Sequence, residues 1–183
     1  RYDDYWGYTE AFYSVGFRPG DVVQVTFNYH LSPAGLMFEE PLRNLGCASI
    51  PAGPTDPGTQ LDIMQKLRVS GYVGTASYLM HLAQKAEEKG INLRKDLFQE
   101  VAFVTGERLS EKMRNQLEKK FDIILRQDYG TADVGCIGYE CFHKTGLHIS
   151  NRCYVEICHP DTGIPLKDGE VGEIVVTSFN KTY

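Results

Sequence analysis

The sequence predicts an α/β fold: a parallel sheet with flanking helices, followed by an antiparallel β segment. Three observations predict it. Short β-type runs recur up to residue 127, a segment of helical character separates each pair of them, and beyond Gly130 strand-like runs continue with only turns between them. Strands alternating with helices imply a parallel sheet covered by helices. Strands joined by turns imply antiparallel pairing.

The β-type runs are DVVQVTF (21–27), GCASI (46–50), GYVGT (71–75), VAFVTG (101–106) and DIILRQ (122–127). Between them, Asp56-Pro57 reads as a helix start, because Asp caps and Pro at the first helical position loses no needed N–H. Leu61, Met64 and Leu67 then recur at spacing three. Ser77 is expected to cap the next helix, which carries Leu79, Leu82, Ala83 and Ala86, and Gly90 is placed to end it. Ser110 is expected to cap another, with Met113, Leu117 and Phe121 on one face. Lys119 and Lys120 fall in its last turn, where cations suit the helix dipole. After Gly130, IGYE, GLHI, CYVEIC and GEIVVTS read as strands, with HPDTGIP and KDGEVG as turns. The expected division is an α/β part over residues 1–135 and a β-rich segment over 136–183.

Bulk properties narrow the function classes. Apolar residues make up 42% of the 183, enough for a core, and charged residues 23%, normal for a globule. A net charge of −5 argues against non-specific nucleic-acid binding, which needs excess Lys and Arg. No apolar run approaches the roughly 20 residues of a membrane helix. The chain starts at Arg1 without a signal peptide and stops on a strand-like run, so it is expected to be an internal piece of a longer protein. Five cysteines, an odd number without a secretion signal, suit reduced thiols and a cytoplasmic setting. Cys47 stands alone in an apolar stretch, as a small buried thiol would.

The stretch RQDYGTADVG (126–135) lies where the pattern switches. Ligands of open α/β sheets sit beyond the carboxyl ends of strands, so a site is expected here. Tyr129 offers a flat ring for stacking, Gly130 a backbone that can be approached closely, and Asp133 an oxygen ligand for a hard cation. The same residues also suit an ordinary turn, with Asp128 as its capping acid.

Six stretches, in order, carry a resemblance: GFRPGDVVQVTFNYHLSPAG (16–35), TASYLMHLAQKAEEKG (75–90), VTGERLSEKMRNQLE (104–118), DYGTADVG (128–135), YECFHKTGLHI (139–149) and HPDTGIPLKDGEVGEIVVTS (159–178). Together they resemble the phenylacetate–CoA ligase branch of the AMP-forming acyl-adenylate enzymes. The resemblance implies the central part of that family's large N-terminal domain, with residues 1–135 binding nucleotide and acyl group. It implies an ATP-dependent ligase with ATP/AMP, Mg²⁺ and CoA as cofactors and an aryl or arylacetic acid as substrate, a homodimer being a further expectation. The isolated piece is expected to be inactive, since the phosphate loop, the ribose-binding Asp and the catalytic Lys would lie outside it. Two alternatives stay open: a nucleotide-binding module without ligase activity, and an adenylating enzyme with an acceptor other than CoA.

Residue by residue, the resemblance makes Tyr129 the adenine-stacking ring and Asp128 the acid accepting from the adenine amino group. It places Gly130 and Thr131 at the phosphates and gives Asp133 the position of the family's Mg²⁺-binding Glu. Thr105, Gly106 and Glu107 match the segment lining the adenine and acyl pockets. Phe27, Tyr29, His30 and Ser32 match the acyl-pocket wall, with His30 and Ser32 where phenylacetate-type members carry Gly and Phe. Ala132 departs from the pattern, because the family has Ser or Thr directly before the acid.

Cys136, Cys141, His143 and His148 give C-x4-C-x-H-x4-H. Thiolates and imidazoles are zinc ligands, and four make a closed structural site. The alternative is four reduced, half-buried side chains on adjacent strands.

Overall fold

In the computed structural model, residues 4–179 are described; the outermost residues of the two expected segments, 1–3 and 180–183, lie outside them. The described residues form α1 (Thr9–Val15), β1 (Val22–Val25), α2 (Ala34–Leu45), β2 (Ala48–Pro51), α3 (Pro57–Lys66), β3 (Gly71–Gly74), α4 (Ala76–Glu88), β4 (Val101–Val104), α5 (Glu111–Phe121), β5 (Ile124–Thr131), β6 (Gly135–Tyr139), β7 (His148–Ile149), β8 (Cys153–Cys158) and β9 (Glu173–Ser178). The main sheet runs β2-β1-β3-β4-β5-β6-β7. Its first five strands are parallel. β6 and β7 continue the same sheet in antiparallel pairing. β8 and β9 form a separate antiparallel hairpin.

The sheet is covered on both faces. β3 and β4 are buried along their whole length, as central parallel strands are. One core gathers Leu61, Met64, Leu79, Leu82, Leu117 and Phe121 from α3, α4 and α5. The other gathers Tyr8, Phe12, Phe17, Phe38 and Phe103 beneath α1 and α2. Rings of that second cluster meet edge to face, Phe12 and Phe103 at 5.0 Å and Tyr8 and Phe38 at 4.9 Å, a favoured geometry for aromatic pairs.

Two of the three expected caps stand. Asp56 accepts from the Thr59 amide and Ser110 from the Met113 amide. The third shifts: Thr75, not Ser77, caps α4, its hydroxyl accepting from Tyr78. Leu67 closes α3 as its C-cap and is exposed, so the spacing-three stripe ends at Met64. The largest difference concerns the stretch expected as a tight corner. β5 runs on through Thr131, so RQDYGT is strand, with an irregularity between Tyr129 and Gly130, and the turn comes after it. A strand presents alternate residues to opposite faces, and this decides which side chains meet in the site.

Candidate functional site

A cavity of about 710 Å³ opens beyond the carboxyl ends of β4 and β5. Thr105, Gly106, Glu107 and Arg108, which follow β4, line one side. Gln127, Asp128, Tyr129 and Gly130 of β5 line its base, with Ile137, Gly138 and Glu140 from β6 and the residue after it. The far wall is apolar: Leu147, Ile149, Val155, Ile157 and Ile174, partly from the β8–β9 hairpin. Tyr129 is 45% exposed and lines the cavity.

Gln127 and Tyr129, two apart on one strand, share a face. Asp128 faces the other way, under α1. Its Oδ2 accepts from the Tyr8 hydroxyl at 2.9 Å, and its Oδ1 is buried without a hydrogen-bond partner. Burial pushes the Asp128 carboxyl up to about 7, against the Thr105 and Tyr8 hydroxyls beside it, which favour the ionised form. The same burial, with Asp128 next to it, raises the Cys136 thiol. Gly130 is required by close approach: a Cβ there would collide with the Tyr8 hydroxyl and the Gly135 carbonyl.

Beneath the cavity lies a buried ion pair. Arg114 of α5 is 1% exposed and grips Glu140 with two guanidinium nitrogens, at 2.9 and 2.6 Å. It also donates to the Leu125 carbonyl and to Glu111. Glu140 in turn accepts from the Gln127 main-chain N–H at 3.0 Å and the Gln127 Nε2 at 2.9 Å, while Gln127 Oε1 accepts from the Leu109 N–H. Burial disfavours the Glu140 carboxylate, but the hydrogen bonds from Arg114 and Gln127 outweigh it and hold this carboxyl below the usual range.

Of the residues singled out in the sequence, Thr105, Gly106, Glu107, Asp128, Tyr129 and Gly130 come together at this cavity. Glu107 also accepts from the Ser77 N–H and hydroxyl, tying the cavity's rim to the start of α4. Thr131 and Asp133 do not line it. The Thr131 hydroxyl accepts from Val134 in the turn after β5, and Asp133 is exposed in that turn. Phe27 packs on Phe38 at 4.9 Å and lies beside Gly106. Tyr29 covers Gly35 of α2 and its phenol is raised by burial and by Glu39. His30 is exposed, and the Ser32 hydroxyl accepts from Ala34 ahead of α2. These last three stand apart from the cavity.

The structure does not assemble the four expected zinc ligands. Cys136 is buried in the aromatic cluster under α1. Cys141, His143 and His148 line a separate, small pocket. Among the described residues no three His, Cys, Asp or Glu side chains converge as a metal site. Sequence spacing placed the four within one loop and strand pair, but strand pleating turns Cys136 inward while both histidines stay exposed.

Gln127, Arg108, Glu140 and the apolar hairpin wall were missed. Period-two alternation counted back from Tyr129 would have found Gln127. A half-open ring beside an amide, over a mostly apolar chamber, suits a flat heterocycle with hydrogen-bonding edges.

Comparison with known proteins agrees. The family model described as AMP-binding enzyme matches residues 7–181. The phenylacetate-coenzyme A ligase of Pseudomonas putida is 30% identical over 172 residues, covering 92% of this chain and 39% of that protein. The phenylacetate-coenzyme A ligase of Escherichia coli K12 is 28% identical over 178 residues, with coverages of 92% and 39%. The chain thus spans about 39% of the length of these relatives. Among solved structures, 2-hydroxyisobutyryl-CoA ligase in complex with 2-HIB-AMP and CoA matches 95% of this chain and 38% of its own, with TM-score 0.87 at 21% identity. ATP-bound MatB from Rhodopseudomonas palustris matches 97% of this chain and 36% of its own, with TM-score 0.74 at 16% identity. The parallel sheet, the switch to antiparallel strands and the matched family model agree, and the chain belongs to the AMP-binding enzyme family.

Proposed function

We propose that the protein containing this chain is an ATP-dependent acid–CoA ligase that adenylates an aryl or arylacetic acid and passes the acyl group to CoA. The single observation that carries it is the half-exposed Tyr129 ring over the cavity, with Gln127 on the same strand face, in a chain of this family. In the first step the substrate carboxylate attacks the ATP α-phosphate, giving acyl-AMP and pyrophosphate. In the second the CoA thiol attacks the acyl carbon and AMP leaves. The aryl preference rests on the relatives named phenylacetate-coenzyme A ligase.

On this reading Tyr129 stacks on adenine and Gln127 meets its edge. The base-reading role moves back one residue from Asp128, whose carboxylate is turned toward Tyr8. Gly106 lets backbone approach the nucleotide, while Gly130 lets β5 pack closely on Tyr8 and Gly135 behind it. Of the residues read as the acyl wall, Phe27 beside Gly106 is the best placed.

Mg²⁺ takes one or two carboxylates together with phosphate oxygens and water. The exposed Asp133, in the turn that follows the Tyr129 strand, fits that need. The ion would supply charge neutralisation at the phosphates. Asp133→Asn is expected to abolish the Mg²⁺ dependence of ATP binding. Calorimetric titrations with and without the ion check it, and an unchanged dependence removes Asp133 from the ligands.

Tyr129→Ala is expected to weaken ATP binding by roughly 1–3 kcal/mol, the worth of one base–aromatic stack. Unchanged affinity, measured on the full-length protein, overturns the stacking role. The decisive test of the reaction is pyrophosphate release by that protein with a panel of aryl and arylacetic acids. ATP binding without release on any acid would instead leave a nucleotide-binding module.

A further inference from the structure

Gln127 is an unusual reader, because a carboxamide looks the same when flipped. Rotated by half a turn, it exchanges its donor and acceptor. A freely turning amide would therefore serve a 6-amino purine and a 6-oxo purine alike. The first presents a donor beside a ring acceptor, the second an acceptor beside a ring N–H.

Here the flip is blocked on both sides. Glu140 is gripped through two nitrogens by the buried Arg114, which keeps it ionised and hence an acceptor only. It faces Gln127 Nε2 at 2.9 Å. On the other side the Leu109 N–H, a donor only, faces Gln127 Oε1 at 3.2 Å. A flipped amide would set oxygen against carboxylate and N–H against N–H. One N–H and one oxygen lone pair of Gln127 remain for a ligand, in a fixed order. Both Gln127 and Glu140 line the cavity beside Tyr129.

We propose that Arg114 and Glu140 are positioning residues that lock the Gln127 carboxamide in one orientation and so make the site select a 6-amino purine nucleotide over a 6-oxo one. This rests on the nucleotide reading of the cavity given above. Arg114 touches no ligand; it acts through Glu140, and Glu140 acts through Gln127.

The test compares dissociation constants for ATP and inosine triphosphate, measured by calorimetry on the full-length protein. Wild type is expected to prefer ATP by roughly tenfold or more, in line with one well-read base edge. Glu140→Gln replaces an obligate acceptor with a group that can donate or accept, so one of the two blocks is lifted and only the Leu109 N–H still opposes the flip. Its ATP preference is expected to fall several-fold, mainly through tighter inosine triphosphate binding. That variant leaves Arg114 with the exposed Glu111 as its charged partner; should it fail to fold, Arg114→Met/Glu140→Gln removes the buried charge and lifts the same block. A retained wild-type ratio in the folded variant overturns the lock, as does a parallel loss of both affinities, which a merely structural role would give. ATP binding without discrimination in wild type overturns the lock and leaves the ligase reading standing. Absence of ATP binding in wild type overturns both.

Discussion

Arg114→Ala is expected to destabilise the protein by about 3–5 kcal/mol, the usual cost of stranding one partner of a buried ion pair. Arg114 is 1% and Glu140 5% exposed at the side chain, so neither charge has water to fall back on. Removing the guanidinium strands the Glu140 carboxylate, whose remaining donors come from Gln127. The Leu125 carbonyl also loses its side-chain donor. The cost is concentrated where α5, β5 and the end of β6 meet, because Arg114 bonds to all three. Chemical denaturation with and without the substitution measures it, and a loss below about 1 kcal/mol, the scale of an exposed pair, would show that the pair is not buried in solution. The Arg114→Met/Glu140→Gln double variant is expected to recover most of the loss, since an uncharged pair of similar volume carries little desolvation penalty.

That ion pair also marks the limit of what the sequence displays. Helix starts at Asp56 and Ser110 were legible because a cap is a local event, complete within four residues. The α4 start was misread by two positions because Thr75 and Ser77 are both hydroxyls. What separates them is Glu107, thirty residues away in the chain, which takes the Ser77 N–H and hydroxyl. Tyr129 and the 105–107 segment were legible as one site, since a parallel sheet brings the carboxyl ends of neighbouring strands together. Asp128 was assigned to the adenine amino group by resemblance; neighbours in a strand take opposite faces, and its carboxyl meets Tyr8. The partnership of Arg114, Glu140 and Gln127 joins a helix and two strands, and no local pattern announces it. The hairpin wall escaped for the same reason: the apolar run CYVEIC reveals a strand but not which cavity its Val155 and Ile157 cover.

Asp128, whose carboxyl is turned toward Tyr8, is expected to make folding stability fall by about 4 kcal/mol as pH rises from 4 to 8. Its folded pKa of about 7 lies above the roughly 3.9 of an unfolded aspartate. The folded protein therefore holds a proton that the unfolded chain gives up between those values. Stability from this group is complete below about pH 4 and is lost as pH climbs through 7. Three units at about 1.36 kcal/mol each give the magnitude. The cause is burial under α1 beside the Cys136 thiol, with Tyr8 donating to Oδ2 and Oδ1 left unpartnered. One donor does not compensate a desolvated carboxylate. Asp128→Asn carries no charge, so its stability curve is expected to lack this descent and to cross above wild type on the alkaline side. Tyr8→Phe, which removes one of the two hydroxyls beside the carboxyl, is expected to extend the descent to higher pH. Denaturation midpoints at pH 4, 6 and 8 for the three proteins decide it. Parallel curves for wild type and Asp128→Asn would mean that water or another part of the polypeptide reaches Oδ1 and solvates the carboxylate.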